Sequence, residues 1–372
     1  MNIGIDASLL KINLAGMGVY VKEMIERFSA IDSEDQFFLF TNADFSCKLT
    51  TGKNFTIVKN RIKPHIVWLQ LIVPVLIKKY KIDVFWQPDH ILPIKVKGSD
   101  YYVTIHDLSG YKLHNVALRK VETVFKLFMP RTCRDAKKII TISEFSKKDI
   151  IETLHIEPDK IDVIYNGDSP YRKGSHISDI EKEECLRKYS INKQYFLFIG
   201  TINPRKNVVT IVKAFNHLRE RGKNAQLAIV GEYGWNSEDV MNEIEISPYK
   251  DDIKVTGFVS ELEKEIFYRN ARCLVFPSLL EGLGLPVIEA MSVGTPVITS
   301  NNSSLPEVGG DVALYINDCL DSSGLSKLMT DILEMNEEQY HILQVRGIQQ
   351  SKKFSRQECA EKTLSLITTK EE

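Results

Sequence analysis

Two glutamates, Glu281 and Glu289, lie on either side of a short glycine-containing turn in the second half of the chain. The turn, Gly-Leu-Gly-Leu-Pro, follows an apolar run typical of a buried strand, residues 271–278, and precedes a helical segment, residues 287–292. Glycines permit a sharp turn, and Pro286 suits the first turn of a helix. The helix N-terminus therefore faces the turn, where its unpaired N–H groups attract anions such as phosphate. Two acids beside a phosphate site indicate a ligand with phosphates and hydroxyls, such as a nucleotide sugar.

The same spacing also fits a plain connection between a strand and a helix, with Glu289 as a solvated helix residue. A basic pair bears on this choice. Arg205 and Lys206 follow a strand-like run, residues 195–200, and precede a helix that begins at Val208. A planar fork donor, a point charge and the N–H groups of a helix start together suit a diphosphate. The alternative interpretation is a solvated basic pair.

The sequence lacks the signals of a metal site. It has no Asp-x-Asp pair, so no divalent ion bridging a diphosphate is predicted. The six cysteines are scattered and form no Cys-x-x-Cys pair. We therefore expect no metal and no other cofactor, and we expect the thiols to be reduced, as in a cytoplasmic protein.

The composition is that of an ordinary globular protein, with 43% apolar and 26% charged residues. The net charge of −1 gives no general attraction to nucleic acid, so no nucleic-acid partner is expected. The chain opens on a strand pattern rather than a signal peptide. No apolar run approaches the roughly 20 residues that span a bilayer. These features predict a cytoplasmic location.

Strand-like runs alternate with helical segments twice over, which indicates an α/β protein with two Rossmann-like parallel-sheet domains. In each domain, the loops that follow the strands lie together at the carboxyl ends of the strands. We therefore expect the two domains to face a shared cleft. We predict an amino-terminal domain over residues 1–170, a linker over 171–192 and a second domain over 193–350, with a carboxyl-terminal helix and tail, 351–372, crossing back to the first domain. The predicted strands cover residues 2–7, 35–41, 55–58, 83–86, 101–105, 138–143 and 160–165, then 195–200, 226–231, 253–257, 272–276 and 296–299.

The first domain has two polar features at the ends of strands. His106 and Asp107 follow the run 101–105. A ligand site is favoured there over a plain surface loop, because histidine is a common acid, base or hydrogen-bonding group. A glycine loop, residues 13–18, joins the first strand to a helix. Its Gly-x-Gly suggests a dinucleotide fingerprint, but Val21 occupies the third glycine position, which weakens the case for NAD. A loop that approaches a ligand and a plain tight turn both remain open.

Two segments have compositions found at membrane surfaces. Residues 67–78 are apolar but too short to span a bilayer, and a core helix is favoured over an interfacial one. Residues 115–138 form a basic amphipathic stretch that suits an anionic membrane, although a solvated helix with one packed face is the favoured interpretation. Peripheral contact with the inner face of the cytoplasmic membrane is the resulting hypothesis.

A set of short motifs runs through both halves of the chain: Gly16-Met17-Gly18-x-Tyr20, Thr104-Ile105-His106-Asp107-Leu108, Asn166-Gly167, Phe198-Ile199-Gly200, Pro204-Arg205-Lys206-Asn207, Gly257-Phe258-Val259, Pro277-Ser278 and the two-acid stretch 281–297. Together they resemble the family-four retaining glycosyltransferases of the GT-B fold, over nearly the whole chain. The two-acid motif is specific when it is joined to Pro-Arg-Lys-Asn. Within the family, Pro-Arg-Lys-Asn and His-Asp-Leu together look most similar to the branch of bacterial mannosyltransferases that build O-antigen and related polysaccharides.

The resemblance implies that these motifs bind a nucleotide-sugar donor. Arg205 and Lys206 would hold the diphosphate. Glu289 would bind the nucleotide ribose, and Glu281 the sugar hydroxyls. Further contacts are implied for the N–H groups of Gly282, Leu283, Gly284 and Leu285, for Gly257, Phe258 and Val259 around the base, for Gly16, Met17 and Gly18 near the phosphates and sugar, and for His106 beside the reacting face of the sugar.

The chain departs from the family pattern at two places. Thr201 occupies a position where many members have arginine, so Arg205 is expected to carry more of the phosphate charge. The aromatic pair common near the carboxyl-terminal crossing helix is reduced to Phe354-Ser355-Arg356.

The implied activity is metal-independent transfer of a hexose, with mannose from GDP-mannose as the first choice, to a hydroxyl of a lipid-linked or growing polysaccharide such as O-antigen. Retention of the anomeric configuration is part of this implication. The expected partners are the nucleotide-sugar donor and a glycan or lipid-linked glycan acceptor. The alternatives are a transferase that uses UDP-glucose or another UDP-sugar, a nucleotide-sugar epimerase, an NAD-dependent oxidoreductase and a non-catalytic binding module.

Overall fold

The structure is a computed structural model that describes residues 1–11, 16–31, 34–112, 119–167, 171 and 177–369. Parts of four predicted segments lie outside these residues: 13–15 of the glycine loop, 115–118 of the basic stretch, 172–176 of the linker and 370–372 of the tail. The chain divides into two compact units. The first unit contains Met1–Asn166 and Ser355–Glu372, and the second contains Gly167–Phe354.

The first unit is built on a seven-stranded sheet in the order β3-β2-β1-β4-β5-β6-β7, with every pair parallel. Its strands are β1 (Asn2–Asp6), β2 (Gln36–Thr41), β3 (Phe55–Lys59), β4 (Val84–Gln87), β5 (Asp100–Thr104), β6 (Lys138–Thr141) and β7 (Ile161–Val163). Its helices are α1 (Met17–Ala30), α2 (His65–Val67), α3 (Val73–Lys79), α4 (Ser109–Lys112), α5 (Arg119–Asp135), α6 (Glu144–Leu154) and α15 (Arg356–Thr368).

The second unit is built on a six-stranded parallel sheet in the order β10-β9-β8-β11-β12-β13. Its strands are β8 (Tyr195–Ile199), β9 (Gln226–Val230), β10 (Ile253–Gly257), β11 (Cys273–Phe276), β12 (Val297–Ser300) and β13 (Leu314–Ile316). Its helices are α7 (Asp179–Lys188), α8 (Val208–Glu220), α9 (Glu238–Glu245), α10 (Glu261–Asn270), α11 (Leu285–Ser292), α12 (Leu305–Gly309), α13 (Ser322–Glu334) and α14 (Glu337–Ser351).

Both sheets reverse their strand order once, and that reversal is where open parallel sheets bind ligands. The reversal lies between β1 and β4 in the first sheet and between β8 and β11 in the second. At such a point the connections leave in opposite directions, which opens a crevice at the carboxyl ends of the two strands. The loops after β8 and β11 carry Arg205, Lys206 and Glu281. The topology therefore directs these three residues to one crevice.

The core of the first unit shows that helices cover both faces of its sheet. Neighbouring residues of one strand, such as Phe85 and Trp86, belong to two different apolar clusters. This is the alternation expected when both faces of a parallel sheet are buried. The cluster that contains Trp86 also contains Cys359 and Leu364 of α15. The carboxyl-terminal helix thus packs in the core of the first unit, and the predicted two-sheet α/β fold is confirmed.

Three local features differ from the sequence expectations. The edge strand β13 was not predicted, because three residues give too short a pattern to distinguish from a loop. The expected linker contains α7, which begins at a capping box formed by Ser178 and Glu181. The apolar segment 67–78 is not one regular helix, since a π-helical stretch, Trp68–Ile72, separates α2 from α3. None of the helices in the described part of the chain has the length and apolarity that a membrane crossing requires.

Candidate active site

The loop after β8 presents the basic pair on a rigid turn. Pro204–Lys206 forms one turn of 3-10 helix, and Asn207 adopts a left-handed conformation with φ of 57° before α8 begins. The Asn207 amide donates to the Pro277 carbonyl at 3.0 Å and to the Cys319 carbonyl at 2.6 Å. Asparagine tolerates this backbone conformation better than most residues, and its amide ties the β8 loop to the β11 loop. This explains why asparagine follows the basic pair.

The loop after β11 is held by hydrogen bonds to its backbone. The Leu279 N–H donates to the Arg205 carbonyl at 2.9 Å, which joins the two loops directly. The Glu281 N–H donates to the Ser303 hydroxyl at 3.1 Å, and the Ser304 hydroxyl donates to the Glu281 carbonyl at 2.9 Å. The backbone of Glu281 is therefore held at both its N–H and its carbonyl group, independently of the contacts of its side chain.

Arg205, Lys206 and Glu281 form one buried ion cluster. Lys206 Nζ donates to Glu281 Oε1 at 2.7 Å, and an Arg205 guanidinium nitrogen donates to Glu281 Oε2 at 3.1 Å. The same Arg205 nitrogen donates to the Leu280 carbonyl at 2.8 Å, while Lys206 Nζ lies 4.6 Å from the centre of the Phe276 ring. Glu281 is 6% exposed and Lys206 9% exposed. The predicted phosphate ligands and the predicted sugar ligand thus touch one another.

The electrostatics of the cluster keep Glu281 ionised. Burial alone raises the pKa of the Glu281 carboxyl, because a charge is costly in a low-dielectric surrounding. The positive charges of Lys206 and Arg205 outweigh burial, and the pKa of Glu281 is lowered from its ordinary value. At neutral pH the cluster therefore holds two cations and one carboxylate.

Glu289 lies on α11 and has a different set of partners. Lys264 Nζ donates to one carboxylate oxygen at 3.0 Å, and the Tyr268 hydroxyl donates to the other at 2.7 Å. Both partners lie on α10, four residues apart and therefore on one side of that helix. Sequence reasoning missed Lys264 and Tyr268. Their helical spacing was the available signal, but it does not reveal which neighbouring helix they contact.

The turn between the two acids matches its predicted form. Gly284 precedes α11 with φ of 95°, and Pro286 lies in the first turn of the helix. A Cβ on Gly284 would lie 2.8 Å from Leu305 Cδ2, so both conformation and space require glycine there. Gly282 and Leu283 are buried and Leu285 is half-buried. The helix N-terminus thus follows directly on the loop that carries Glu281.

The predicted base-binding residues lie at the end of β10, the edge strand on one side of the second sheet. Gly257 has φ of 69°, Val259 is buried and Phe258 is 80% exposed. Thr201, where many family members have arginine, is exposed at the end of β8. Phe354 is buried at the end of the second unit, and Arg356 begins α15.

The predicted residues of the first unit lie at the ends of β1 and β5. Gly16 has φ of 48° and precedes α1, Met17 is exposed and Gly18 is buried. His106 is buried and its Nε2 lies 3.0 Å from the Pro88 carbonyl oxygen, so Nε2 carries the proton. Its ring packs edge-on against Tyr20 with centres 5.0 Å apart. Burial, together with the nearby His90, lowers the pKa of His106 to about 4, so this imidazole is a neutral hydrogen-bonding group at physiological pH.

Within the described ranges, no group of three or more His, Cys, Asp or Glu side chains is arranged to hold a metal ion. At the strand reversal of the second sheet, Arg205, Lys206 and the start of α11 supply positive charge for a bound anion. Because all three lie at the carboxyl ends of β8 and β11, the arrangement suits a ligand with a negatively charged centre and polar groups beside it.

Comparison with known proteins identifies both halves of the chain. Residues 14–168 match the family model described as Glycosyltransferase Family 4, and residues 181–350 match the model Glycosyl transferases group 1. The chain is 28% identical over 376 aligned positions to O-antigen chain mannosyltransferase B of Escherichia coli, covering 96% of both chains. It is 29% identical to O-antigen chain mannosyltransferase RfbU of Salmonella typhimurium, covering 69% of this chain and 68% of the relative.

A solved structure shares the fold over the full length. WaaG, a glycosyltransferase involved in lipopolysaccharide biosynthesis, superposes with a TM-score of 0.75 at 16% identity, and the alignment covers 100% of both chains. At this identity the likeness establishes the GT-B fold and nothing finer. The chain belongs to the glycosyltransferases, with a first half of the family 4 type and a second half of the group 1 type.

Proposed function

We propose that the protein transfers mannose from GDP-mannose to a hydroxyl of a lipid-linked or growing polysaccharide such as O-antigen, with retention of the anomeric configuration. The observation that carries this proposal is the buried cluster of Arg205, Lys206 and Glu281 at the strand reversal of the second sheet. Mannose is the sugar named for both bacterial relatives, which are similar over most of this chain. The expected acceptor class follows from the O-antigen named for the same relatives.

The proposed donor site distributes the parts of a nucleotide sugar over the second unit. Arg205, Lys206 and the N–H groups at the start of α11 bind the diphosphate, because they supply the positive charge at the strand reversal. Glu281 accepts from the sugar hydroxyls. Glu289 accepts from the ribose hydroxyls, and Lys264 fixes the direction of its carboxylate. The base lies against Gly257, Phe258 and Val259.

The proposed chemistry depends on stabilising the leaving group. Negative charge grows on the diphosphate as the bond from the sugar C1 atom to the phosphate oxygen breaks. Arg205, Lys206 and the start of α11 face that charge in a largely buried site, where fixed charges act more strongly than in water. The acceptor oxygen attacks C1 on the face that the diphosphate leaves, and the leaving phosphate takes the acceptor's proton. The sugar therefore keeps its configuration.

A donor screen tests this function. The purified protein is offered an O-antigen-type acceptor and, separately, GDP-mannose, GDP-glucose, UDP-glucose and UDP-galactose, and nucleoside diphosphate release is measured. We expect release of GDP from GDP-mannose that depends on acceptor, at a rate at least tenfold above that of any other donor. Release of UDP at the higher rate, or nucleotide binding without release, would replace the proposal by a UDP-sugar transferase or by a binding protein.

We also propose peripheral contact with an anionic membrane through the segment that contains α2 and α3. This segment exposes three apolar side chains spaced four residues apart, Val67, Leu71 and Val75, of which the last two are 58% and 59% exposed. Exposed lysines follow directly at Lys78 and Lys79. Apolar side chains beside basic ones suit the surface of an anionic bilayer.

The basic stretch on α5 is a weaker membrane candidate, because its charges have acidic partners within the first unit. Lys126 pairs with Glu122 at 2.6 Å, and Arg134 pairs with Asp135 at 3.0 Å. Just after the helix, Lys137 pairs with Asp100 at 3.0 Å. Pairing of this kind reduces the net positive charge of the helix, and with it the attraction of the helix to an anionic lipid surface.

A further inference from the structure

We propose that Glu281 competes with the donor diphosphate for the N–H groups of Arg205 and Lys206, and that the sugar hydroxyls of an intact donor relieve this competition. The site would then prefer the sugar nucleotide to the nucleoside diphosphate that remains after transfer. This inference rests on the proposed function, in which the same two cations bind the diphosphate. It gives Glu281 a second task beyond contact with the sugar.

The geometry supports the competition because both carboxylate oxygens of Glu281 are engaged. Oε1 accepts from Lys206 Nζ at 2.7 Å, and Oε2 accepts from Arg205 at 3.1 Å. Lys206 is 9% exposed, and the face of the Phe276 ring lies 4.6 Å from its ammonium group. The ammonium therefore has little room to turn toward solvent, and a phosphate must approach it beside Glu281.

Repulsion by the Glu281 carboxylate makes this approach less favourable for a bare diphosphate. A phosphate oxygen hydrogen-bonded to Lys206 Nζ would lie within about 6 Å of the Glu281 carboxylate, since each hydrogen bond to Nζ spans about 2.8 Å. Two negative groups at this separation in a buried site repel each other appreciably. The two cations also cannot neutralise the carboxylate and the diphosphate at once. Glu281 is ionised at neutral pH, because its pKa is lowered by Lys206 and Arg205 despite burial.

The sugar changes this balance because it brings hydroxyl donors. A carboxylate that gives up a cation needs other hydrogen bonds, since a buried charge without a partner is costly. A hexose beside the diphosphate offers several O–H groups to Glu281, whereas a nucleoside diphosphate offers none at that position. The intact donor thus compensates the displaced carboxylate, and the product does not. After transfer, Glu281 regains its cations and favours release of the nucleoside diphosphate.

Titration calorimetry with inorganic pyrophosphate, GDP and GDP-mannose, without acceptor, tests the inference. We expect Glu281→Gln to bind pyrophosphate and GDP at least about tenfold more tightly than the unmodified protein, in line with the coupling energies of close charge pairs. GDP-mannose should gain less than GDP, so the preference for the intact donor should fall. Glu265→Gln is the matched control, because Glu265 is an equally buried carboxylate paired with Arg269 at 2.8 Å on α10. It should leave pyrophosphate affinity unchanged.

Unchanged or weaker pyrophosphate binding by folded Glu281→Gln would overturn the inference. If Glu281→Gln does not fold, Glu281→Asp decides, since it keeps the charge but withdraws the carboxylate by one methylene. We expect a tightening of roughly threefold for that variant, and no change would overturn the inference. Pyrophosphate results as expected, with no binding of GDP or GDP-mannose to any variant, would uphold the competition and contradict the proposed donor instead.

Discussion

Arg205 and Lys206 supply positive charge in two different ways. The Arg205 guanidinium is a planar fork, and it is held by the Leu280 carbonyl as well as by Glu281. The Lys206 ammonium is a compact charge that lies over the Phe276 ring. Arg205 therefore shapes the loop as well as binding an anion, whereas the loss of Lys206 removes mainly charge. This difference makes Lys206 the better residue for a test of catalysis.

We expect Lys206→Ala to lower kcat/KM for transfer by at least 100-fold, because a fixed charge facing the leaving group acts mainly in the transition state. Arg205 remains to pair Glu281, so the variant should stay folded, which a thermal unfolding curve will show. Lys213→Ala is the control, because Lys213 is half-exposed and pairs with Glu243 at 3.7 Å on the surface of the same unit. Near-normal turnover by folded Lys206→Ala would exclude this residue from the site.

We expect His106 to make stability dependent on pH. Burial, with His90 nearby, lowers the pKa of His106 to about 4, whereas an unfolded chain has a histidine pKa of about 6.5. Between these values the unfolded chain binds a proton that the folded chain does not. The free energy of unfolding should therefore fall as the pH drops from about 6.5 to about 4. This group contributes a slope of at most about 1.4 kcal/mol per pH unit.

Urea unfolding at several pH values measures this effect. His106→Gln cannot titrate and keeps a side-chain N–H donor, so its stability should fall less steeply than that of the unmodified protein over this pH range. His217→Gln is the control, because His217 is partly exposed on α8 beside Glu220. Identical slopes for the unmodified protein and His106→Gln would show that His106 titrates normally.

Arg205, Lys206 and Glu281 were predicted as site residues from their positions at strand ends and from the family resemblance. The sequence did not predict that their side chains pair with one another. Their mutual contact depends on loops about 75 residues apart, and on the asparagine that joins them. Lys264 and Tyr268 were missed for the same reason, since the sequence of one helix does not show which other helix it contacts.

At the scale of elements, the turn before α11 determines where the helix N-terminus lies. We expect Gly284→Ala to destabilise the second unit by about 1–3 kcal/mol, because the residue has φ of 95° and its Cβ would lie 2.8 Å from Leu305. Gly222→Ala is a matched control in the same unit. Gly222 has φ of 77°, but a Cβ there meets nothing within 4 Å.

The difference between the stability losses of the two variants measures the contact with Leu305, because both variants share the backbone strain. Thermal unfolding midpoints measure this difference, and we expect the midpoint of Gly284→Ala to fall further than that of Gly222→Ala. Because the same change displaces the start of α11, pyrophosphate affinity should also fall for Gly284→Ala. Equal losses of stability would mean that the second unit adapts to the added methyl group.

Secondary structure could be predicted where the pattern was long or bounded by strong signals. The buried strand β8 is apolar throughout, and β9 is apolar after Gln226. Their predicted bounds differ from the observed ones by one residue. The π-helical stretch Trp68–Ile72 could not be predicted, because its apolar spacing is also that of an α-helix. Helix α7 was missed because its residues are mostly charged, and only its capping box marks its start.

At the scale of the whole molecule, each unit is a doubly wound sheet of its own, and the carboxyl-terminal helix belongs to the unit that begins the chain. Cys359, Leu364 and Ile367 of α15 are buried in the apolar cluster that α1 covers. The first unit is therefore completed by a helix that follows the whole second unit in the sequence. The predicted return of the carboxyl-terminal helix to the first domain is confirmed.

Sedimentation of the whole protein with lipid vesicles tests the proposed membrane contact. We expect the protein to pellet with vesicles containing an anionic lipid at low salt, and to remain in solution with uncharged vesicles or at high salt. The double substitution Leu71→Asp and Val75→Asp should abolish pelleting. Ile246→Asp, at a residue 73% exposed in the second unit, should not. Unchanged pelleting of the double variant would place the contact elsewhere.

The most direct test of mannosyl transfer is an NMR measurement of the product formed from GDP-mannose carrying carbon-13 at C1 of the mannose. The proposed same-face attack, with charge stabilisation by Arg205 and Lys206, predicts a labelled α-mannoside on the acceptor together with an equal amount of GDP. A β-mannoside would contradict retention. No labelled glycoside, with transfer observed from a UDP-sugar instead, would contradict the assignment of the donor.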